Sequence, residues 1–418
     1  MADALLLSQV KIFDPDGPHH GQRVDVLFVD DELRVNPTSK PAEVDRVDAS
    51  RLSLSRGWAD LGAVVTEPGL EQRETIRSFQ QAALAGGYAH VLVQPDTVPK
   101  IDTASEVLAF QQRASGHAVE LRVIASLQQA DKKLRLSELG ELADAGVRFV
   151  SLGADEPFLD PRMLQLALEY SAQLGLTVVT SPTYASPGDS GQLHEGVVST
   201  RLGLPGMASV SESVSVHETL SLSKYTGGRV HFNALSARAA VQLLEAQDST
   251  HVSFGVPALN LLLTDEALLS YDVNLKVLPP LRLDADRDAL RETLRTGAAQ
   301  ALVSQHRPHV LEDKRVEFPY ASFGAATIEH VYGIAQTAFG DSDTVVDYLS
   351  GHNRRLLGLA CRPIASGAAD TYTLYAPDET YEPASVRKHT LGYNVPLPNR
   401  PLTGRAVGVV RDNTLHKA

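Results

Sequence analysis

The chain has 418 residues, 43% hydrophobic and 21% charged, with 38 Lys and Arg against 51 Asp and Glu for a net charge of −13. This composition excludes disorder and collagen-like repeats, and an acidic balance with no basic run gives phosphate backbones little to bind, so nucleic acid is not an expected partner. No apolar run approaches the roughly 20 residues that span a bilayer, and no basic region precedes the short apolar stretch at the amino terminus, so no membrane partner and a cytoplasmic location are expected.

The first fifty residues alternate as strands do, in LLLSQVKIF, in VDVLFVDDELRV with an acidic turn at Asp30-Asp31, and in VDASRLSLS, which predicts a β-layer over 1–56. From Gly57 onward, short β-rich runs stand at 58–65, 88–94, 119–127, 147–152, 176–181, 229–235, 251–256 and 300–305. Helical periodicity fills 71–85, 134–145, 162–174, 211–225, 237–246 and 286–296 between them. Gly86-Gly87, Gly146, Gly175 and Gly227-Gly228 fall just before strands, where a chain leaving a helix needs the left-handed conformation. Eight βα repeats over about 300 residues predict an α/β fold, a (β/α)8 TIM barrel at 57–357 that ends in a helical region near 325–357. The tail at 358–418 returns to strand and turn chemistry (DTYTLYAPDETY, LTGRAVGVVRD), and the two ends of the chain are expected to form one composite β-domain.

A barrel carries its chemistry at the carboxyl ends of its strands. Here those ends read Asp60-Leu61-Gly62-Ala63-Val64, Gln94-Pro95-Asp96, Gly153-Ala154-Asp155-Glu156, Ser181, Asn233-Ala234, Val256-Pro257 and Gln305-His306, with His309 three residues on. The single cysteine, Cys361, excludes a thiolate cluster, so the fourteen histidines decide whether a metal can be held. No His-x-His, His-Glu-x-x-His or Gly-x-Ser-x-Gly occurs. Proline inside His306-Arg307-Pro308-His309 reads as a loop, and His231 and His251 sit inside strands, His231 as a structural histidine. In RLGLPGMAS, Gly203 and Gly206 lack the flanking strand, helix and lysine of a phosphate loop and read as turn glycines.

The run RGWADLGAVVTEPGLEQRETIRSFQQAALAGGYAHVLVQPDTVPKIDT resembles the first barrel strand and following segment of type I dihydroorotases, of the amidohydrolase superfamily. The resemblance continues in HEGVVSTRLGLPGMASVSESVSVHETL, TGGRVHFNALSA, LLLTDEALLSYDVNLKVLPPLR, ALVSQHRPH and GYNVPLPNRPLTGRAVGVVRD, nearly the whole chain in order. That family carries Asp-x-His-x-His-x-Arg at the end of strand one, with histidines for metal and arginine for the substrate carboxylate. In this chain the frame keeps Asp60 but places Gly62, Val64 and Thr66 at those three positions. The strand-four bridging aspartate falls on Gly153 or Ala154, the strand-five and strand-six histidines on Ser181 and Ala234, and the strand-eight aspartate, metal ligand and general base, on Gln305. The substrate-side asparagines fall on Asp96 and Leu278, leaving Asp60, His306 and His309 as remnants of the site.

The resemblance therefore implies a noncatalytic chain with no metal and no cofactor, because Gly, Val, Ser, Ala and Gln leave nothing to lower the pKa of a water. It is closest to the noncatalytic dihydroorotase-like chains of pyrimidine biosynthesis, which associate with aspartate transcarbamoylase catalytic chains. The partner it implies is that catalytic chain, with this protein a homodimer inside a larger hetero-oligomer. Two alternatives stay open. One is a divergent amidohydrolase acting on a cyclic amide, its metal site rebuilt from His306, His309 and His231 with Asp60 or Asp96. The other is a ligand-sensing regulatory subunit, for which Arg307 is the one cation near the mouth, among the acidic Asp96, Asp155 and Glu156.

Overall fold

Strand alternation at both ends of the chain builds a single sheet. The computed structural model describes residues 4–129, 135–154, 160–182, 191–247 and 251–418. Ala4–Ile12 pairs antiparallel with Arg23–Val29, which pairs with Glu32–Val35 through a turn that holds Asp30 and Asp31 at φ +53° and +59°. Ser53–Arg56 pairs with Tyr372–Tyr381 and this in turn with Leu402–Arg411, so the two ends share one sheet. The period of two decides which side chains are covered. Leu5, Leu7, Val10, Ile12, Val24, Val26 and Phe28 pack with Tyr372, Leu374 and Val410 on one face, whereas Ala4, Leu6, Leu27 and Val29 gather on the other.

Eight parallel strands follow in barrel order. They are Trp58–Val64, Tyr88–Gln94, Glu120–Val123 continued by Ala125–Ser126, Phe149–Ser151, Thr177–Thr180, Arg229–Phe232, Val252–Pro257 and Ala301–Val303. Ala59, Leu61, Leu92, Ile124, Phe149, Val179, Ala301 and Val303 fill the interior. The opposite faces of the strands join the helices in the largest core, around Trp58, Phe79, Val91, Val178 and Phe232. Of the glycines before strands, Gly87, Gly146, Gly175 and Gly227 have φ between +69° and +90°, as a left-handed exit requires.

The structure differs from the expected TIM barrel in closure. The strands form two ladders, one of strands one to three and one running from Ala125–Ser126 to strand eight, rather than a continuous cylinder. Between strands eight and one, side-chain bonds from Asp60 to Ser304 take the place of a ladder, with Val64 N–H donating to the His306 carbonyl at 2.8 Å. Within strand three the break lies at Ile124, whose N–H donates to the Val93 carbonyl.

The helix at Ala104–Ala114 escapes the periodicity because only Val107, Phe110 and Ala114 are buried, too thin a stripe to register. Its boundary signal is local instead, a capping box between Thr103 and Glu106. The helix expected from 71 begins at Ile76, behind a Thr75–Ser78 capping box. Among the described residues no helix is long and apolar enough to cross a membrane.

Candidate functional site

Strand one brings Asp60 to the seam with strand eight. Its fully buried carboxylate accepts the Ser304 N–H at 2.8 Å and the Ser304 hydroxyl at 2.6 Å, and burial pushes it up to about 7. Gly62 has φ +82°, and a Cβ there would lie 2.2 Å from Asn233 Nδ2 and 2.5 Å from Asn233 Oδ1. The space over this residue thus belongs to the side chain from strand six. Val64 is buried opposite Gln94 on strand two, and the Thr66 hydroxyl lies 3.0 Å from each of the Leu70 and Glu74 carbonyls, where it holds the following loop.

Asp96 accepts the Ala154 N–H at 3.1 Å and faces Arg307 Nη2 at 3.4 Å, so the Arg307 guanidinium lies against a carboxylate. Gly153, at φ +136°, lies beneath that carboxylate and the Lys100 ammonium, which are 3.4 and 3.5 Å from where its Cβ would stand. Lys100 in turn donates to the Leu152 carbonyl. Ala234 is fully buried, Leu278 half-buried, and Gln305 holds φ +49°. Ser181 follows strand five directly after Thr180, whose carbonyl accepts the Asn233 N–H. Asp155 and Glu156 lie outside the described residues.

Both histidines of the strand-eight loop are turned to structural contacts. His306 is fully buried, its ring 5.4 Å from that of Phe79. Its Nδ1 accepts the Ile328 N–H, and its Nε2 lies 3.7 Å from the buried Glu74 carboxylate. Glu74 also takes the Ser78 and Thr390 hydroxyls and the Leu391 N–H, binding the C-terminal segment to the barrel. His309 sits between Asp313 Oδ2 at 3.3 Å and the Phe323 carbonyl at 2.8 Å, and burial pushes it down to about 4. Its N–H donates to Asn394, whose amide donates to the Arg307 and Gly324 carbonyls.

His231 is buried in the barrel interior, Nδ1 at 2.9 Å from the Ser253 hydroxyl, and burial alone pushes it down to about 3. The structure therefore does not assemble His306, His309, His231, Asp60 and Asp96 into one site, and among the described residues no three His, Cys, Asp or Glu side chains converge on a point. On the barrel strands and at their carboxyl ends, the buried polar atoms without a hydrogen-bond partner include Gln94 Oε1, both amide atoms of Asn233, Gln305 Nε2, and the Nε2 atoms of His231 and His306. Neutral carboxamides dominate that set, and it does not fit a pair of metal ions, which needs several imidazoles and carboxylates directed to shared points.

His231 yields a pH test. A histidine held neutral in the fold and free to protonate when unfolded gives stability that is present above about 6.5 and lost as pH falls toward its folded value of about 3. His231→Leu removes this linkage. Relative to the parent the variant is expected to gain about 2 kcal/mol between pH 7.5 and pH 5, read by urea unfolding at both values. Equal differences at the two pH values would show that His231 does not resist protonation.

The residues missed by sequence reasoning are those that carry the family-like motifs. Arg282, last in VLPPLR, is buried and donates Nη2 to Glu212 at 3.0 Å and Nε to the Ser236 hydroxyl at 2.7 Å, with Nη1 3.1 Å from His194 Nδ1. Glu212 also accepts the N–H groups of Ser236 and Ala237 and the Ser236 hydroxyl. These four residues come from HEGVVSTRLG, SVSES, NALSA and PPLR, so the motifs outside the mouth serve a buried ion-pair network. An arginine inside the apolar run LPPLRL was the available signal.

No family model matches the chain. It is 32% identical over 391 residues to a dihydroorotase of Pelotomaculum thermopropionicum, covering 91% of each chain. It is 30% identical over 423 residues to one of Anaeromyxobacter dehalogenans, covering 98% of this chain and 97% of that one. Its fold matches an L-hydantoinase of Arthrobacter aurescens with a TM-score of 0.82 at 18% identity, covering 100% of this chain and 96% of that one. A D-hydantoinase of a Thermus species matches with a TM-score of 0.80 at 18% identity, over 99% and 95%. At 30% identity or more over nine-tenths or more of its length, the chain belongs to the dihydroorotase family.

Proposed function

We propose that this chain is a noncatalytic dihydroorotase-like subunit of pyrimidine biosynthesis, which binds aspartate transcarbamoylase catalytic chains and stabilises them in a larger hetero-oligomer. The observation that carries the reading is Asn233. Its amide occupies the space over Gly62, where the family places a metal-binding histidine. Side chains that fill a former site favour a role for the outer surface of the barrel over one for its mouth. The partner comes from the resemblance to noncatalytic chains of this family.

The test is co-expression with an aspartate transcarbamoylase catalytic chain, followed by size exclusion with light scattering at micromolar concentration. A single species with the mass of a hetero-oligomer is expected, together with substoichiometric zinc and no turnover of dihydroorotate or carbamoyl aspartate. Separate elution of the two chains would remove the scaffold role. Stoichiometric zinc with turnover would return the protein to the hydrolases.

A further inference from the structure

The two ladders part at the end of the barrel remote from the mouth. Glu120–Val123 pairs with strand two alone, and only Ala125–Ser126 pairs with strand four, so strands three and four stand apart at their amino-terminal ends. A parallel strand directs alternate backbone groups to its two sides. The Ile124 N–H points to strand two and the Leu127 N–H to strand four, so the Leu121 and Val123 backbone groups face a neighbour that is not hydrogen-bonded to them. A cavity of about 430 Å³ lies in this seam.

Its inner wall is apolar, with Leu92 and Phe149 from the barrel interior and Leu357 beside them. Its rim is basic, formed by Arg122, Arg148 and Arg411 on a chain of net charge −13. Arg122 is neutralised by Glu120 at 2.7 Å, and the same carboxylate lies 3.3 Å from His90 Nδ1. Arg148 donates to the Ala143 and Val147 carbonyls and forms no ion pair among the described residues. Arg411 donates to the Ala118 carbonyl, and its nearest carboxylate, Asp412, lies 3.8 Å away and is 83% exposed. The remaining lining histidine, His117, accepts the Val119 N–H on Nδ1, and burial holds its pKa down. Two arginines therefore line the cavity with guanidinium donors to spare, beside an apolar wall and an unpaired strand edge.

We propose that this seam binds a small anion with an apolar body, its phosphate or carboxylate held by Arg148 and Arg411 and its aromatic or aliphatic part on Leu92, Phe149 and Leu357. The volume falls within the range of small-molecule sites, and a concave apolar wall with a few convergent charged donors is how such sites fix orientation.

Isothermal titration with phenyl phosphate, benzoate, inorganic phosphate and phenol tests both halves of the site. Phenyl phosphate is expected to bind saturably and at least about tenfold more tightly than inorganic phosphate or phenol alone, and benzoate ranks the two head groups. Arg148→Ala with Arg411→Ala is expected to weaken phenyl phosphate by about tenfold or more, while the corresponding Lys pair keeps most of the affinity. Absence of saturable binding overturns the proposal. So does equal affinity for inorganic phosphate, or an alanine pair that binds as the parent does. Because the seam is remote from the mouth, its failure would leave the proposed scaffold role untouched.

Discussion

Arg282→Leu is expected to cost the fold about 3–5 kcal/mol. The substitution leaves Glu212, itself buried, with its Ser236 and Ala237 donors but without the cation that balances its charge. It also strips the Ser236 hydroxyl and His194 of a partner each. An uncompensated buried charge costs far more than the pair contributes, because the desolvation penalty is already committed. Replacing both partners, Glu212→Leu with Arg282→Leu, should recover part of the loss. Recovery stays incomplete because the Ser236 and Ala237 N–H groups lose their acceptor, at about 1–3 kcal/mol per orphaned group. Urea unfolding of the three variants separates these costs. A single variant within about 1 kcal/mol of the parent would mean that the network does not hold strand six and the PPLR turn together.

This network ties the family-like motifs to the stability of the barrel. The motifs HEGVVSTRLG, NALSA and PPLR supply His194, Ser236 and Arg282 to a contact that the barrel needs whether or not its mouth turns over substrate. The strand-end positions are under no such demand. Gly62, Val64, Ser181 and Ala234 take no part in this network.

Periodicity made much of the fold legible. The alternation of Leu5, Leu7, Val10 and Ile12 maps onto one sheet face, and each of the eight expected β-rich runs contains a barrel strand. Two features lay beyond its reach. The helix Ala104–Ala114 buries too few apolar side chains to produce a period, and the break at Ile124 depends on which neighbour accepts a backbone N–H, which no side chain encodes. At the mouth, sequence identified what Gly62 and Gly153 lack but not what covers them. Asn233 stands 171 positions from Gly62, counted as 233 − 62, and only the curvature of the barrel brings the two together. Glu74 was hidden for the same reason, since its partners Thr390 and Leu391 lie in the tail.

Restoring the first histidine of the family frame gives the second large effect. Gly62→His is expected to lose about 3–5 kcal/mol and to yield no dihydroorotase activity, even combined with Val64→His. Two independent costs meet at this residue. A backbone at φ +82° strains any residue with a Cβ, by about 1–3 kcal/mol, and the Cβ would also sit 2.2 Å from the Asn233 amide. Asn233→Ala isolates the second cost. Both of its amide atoms are buried without partners, so their removal alone should be close to neutral or stabilising, unlike most core truncations. Gly62→His combined with Asn233→Ala should then be more stable than the sum of the single changes predicts, by about 1–3 kcal/mol, while the backbone strain persists. Additive effects would mean that Asn233 can leave the space over Gly62 at little cost. If the coupling is as expected, placing a metal ligand at residue 62 demands removal of Asn233 and a different backbone at Gly62. Of the two changes only Asn233→Ala is expected to be tolerated alone, and it supplies no ligand by itself.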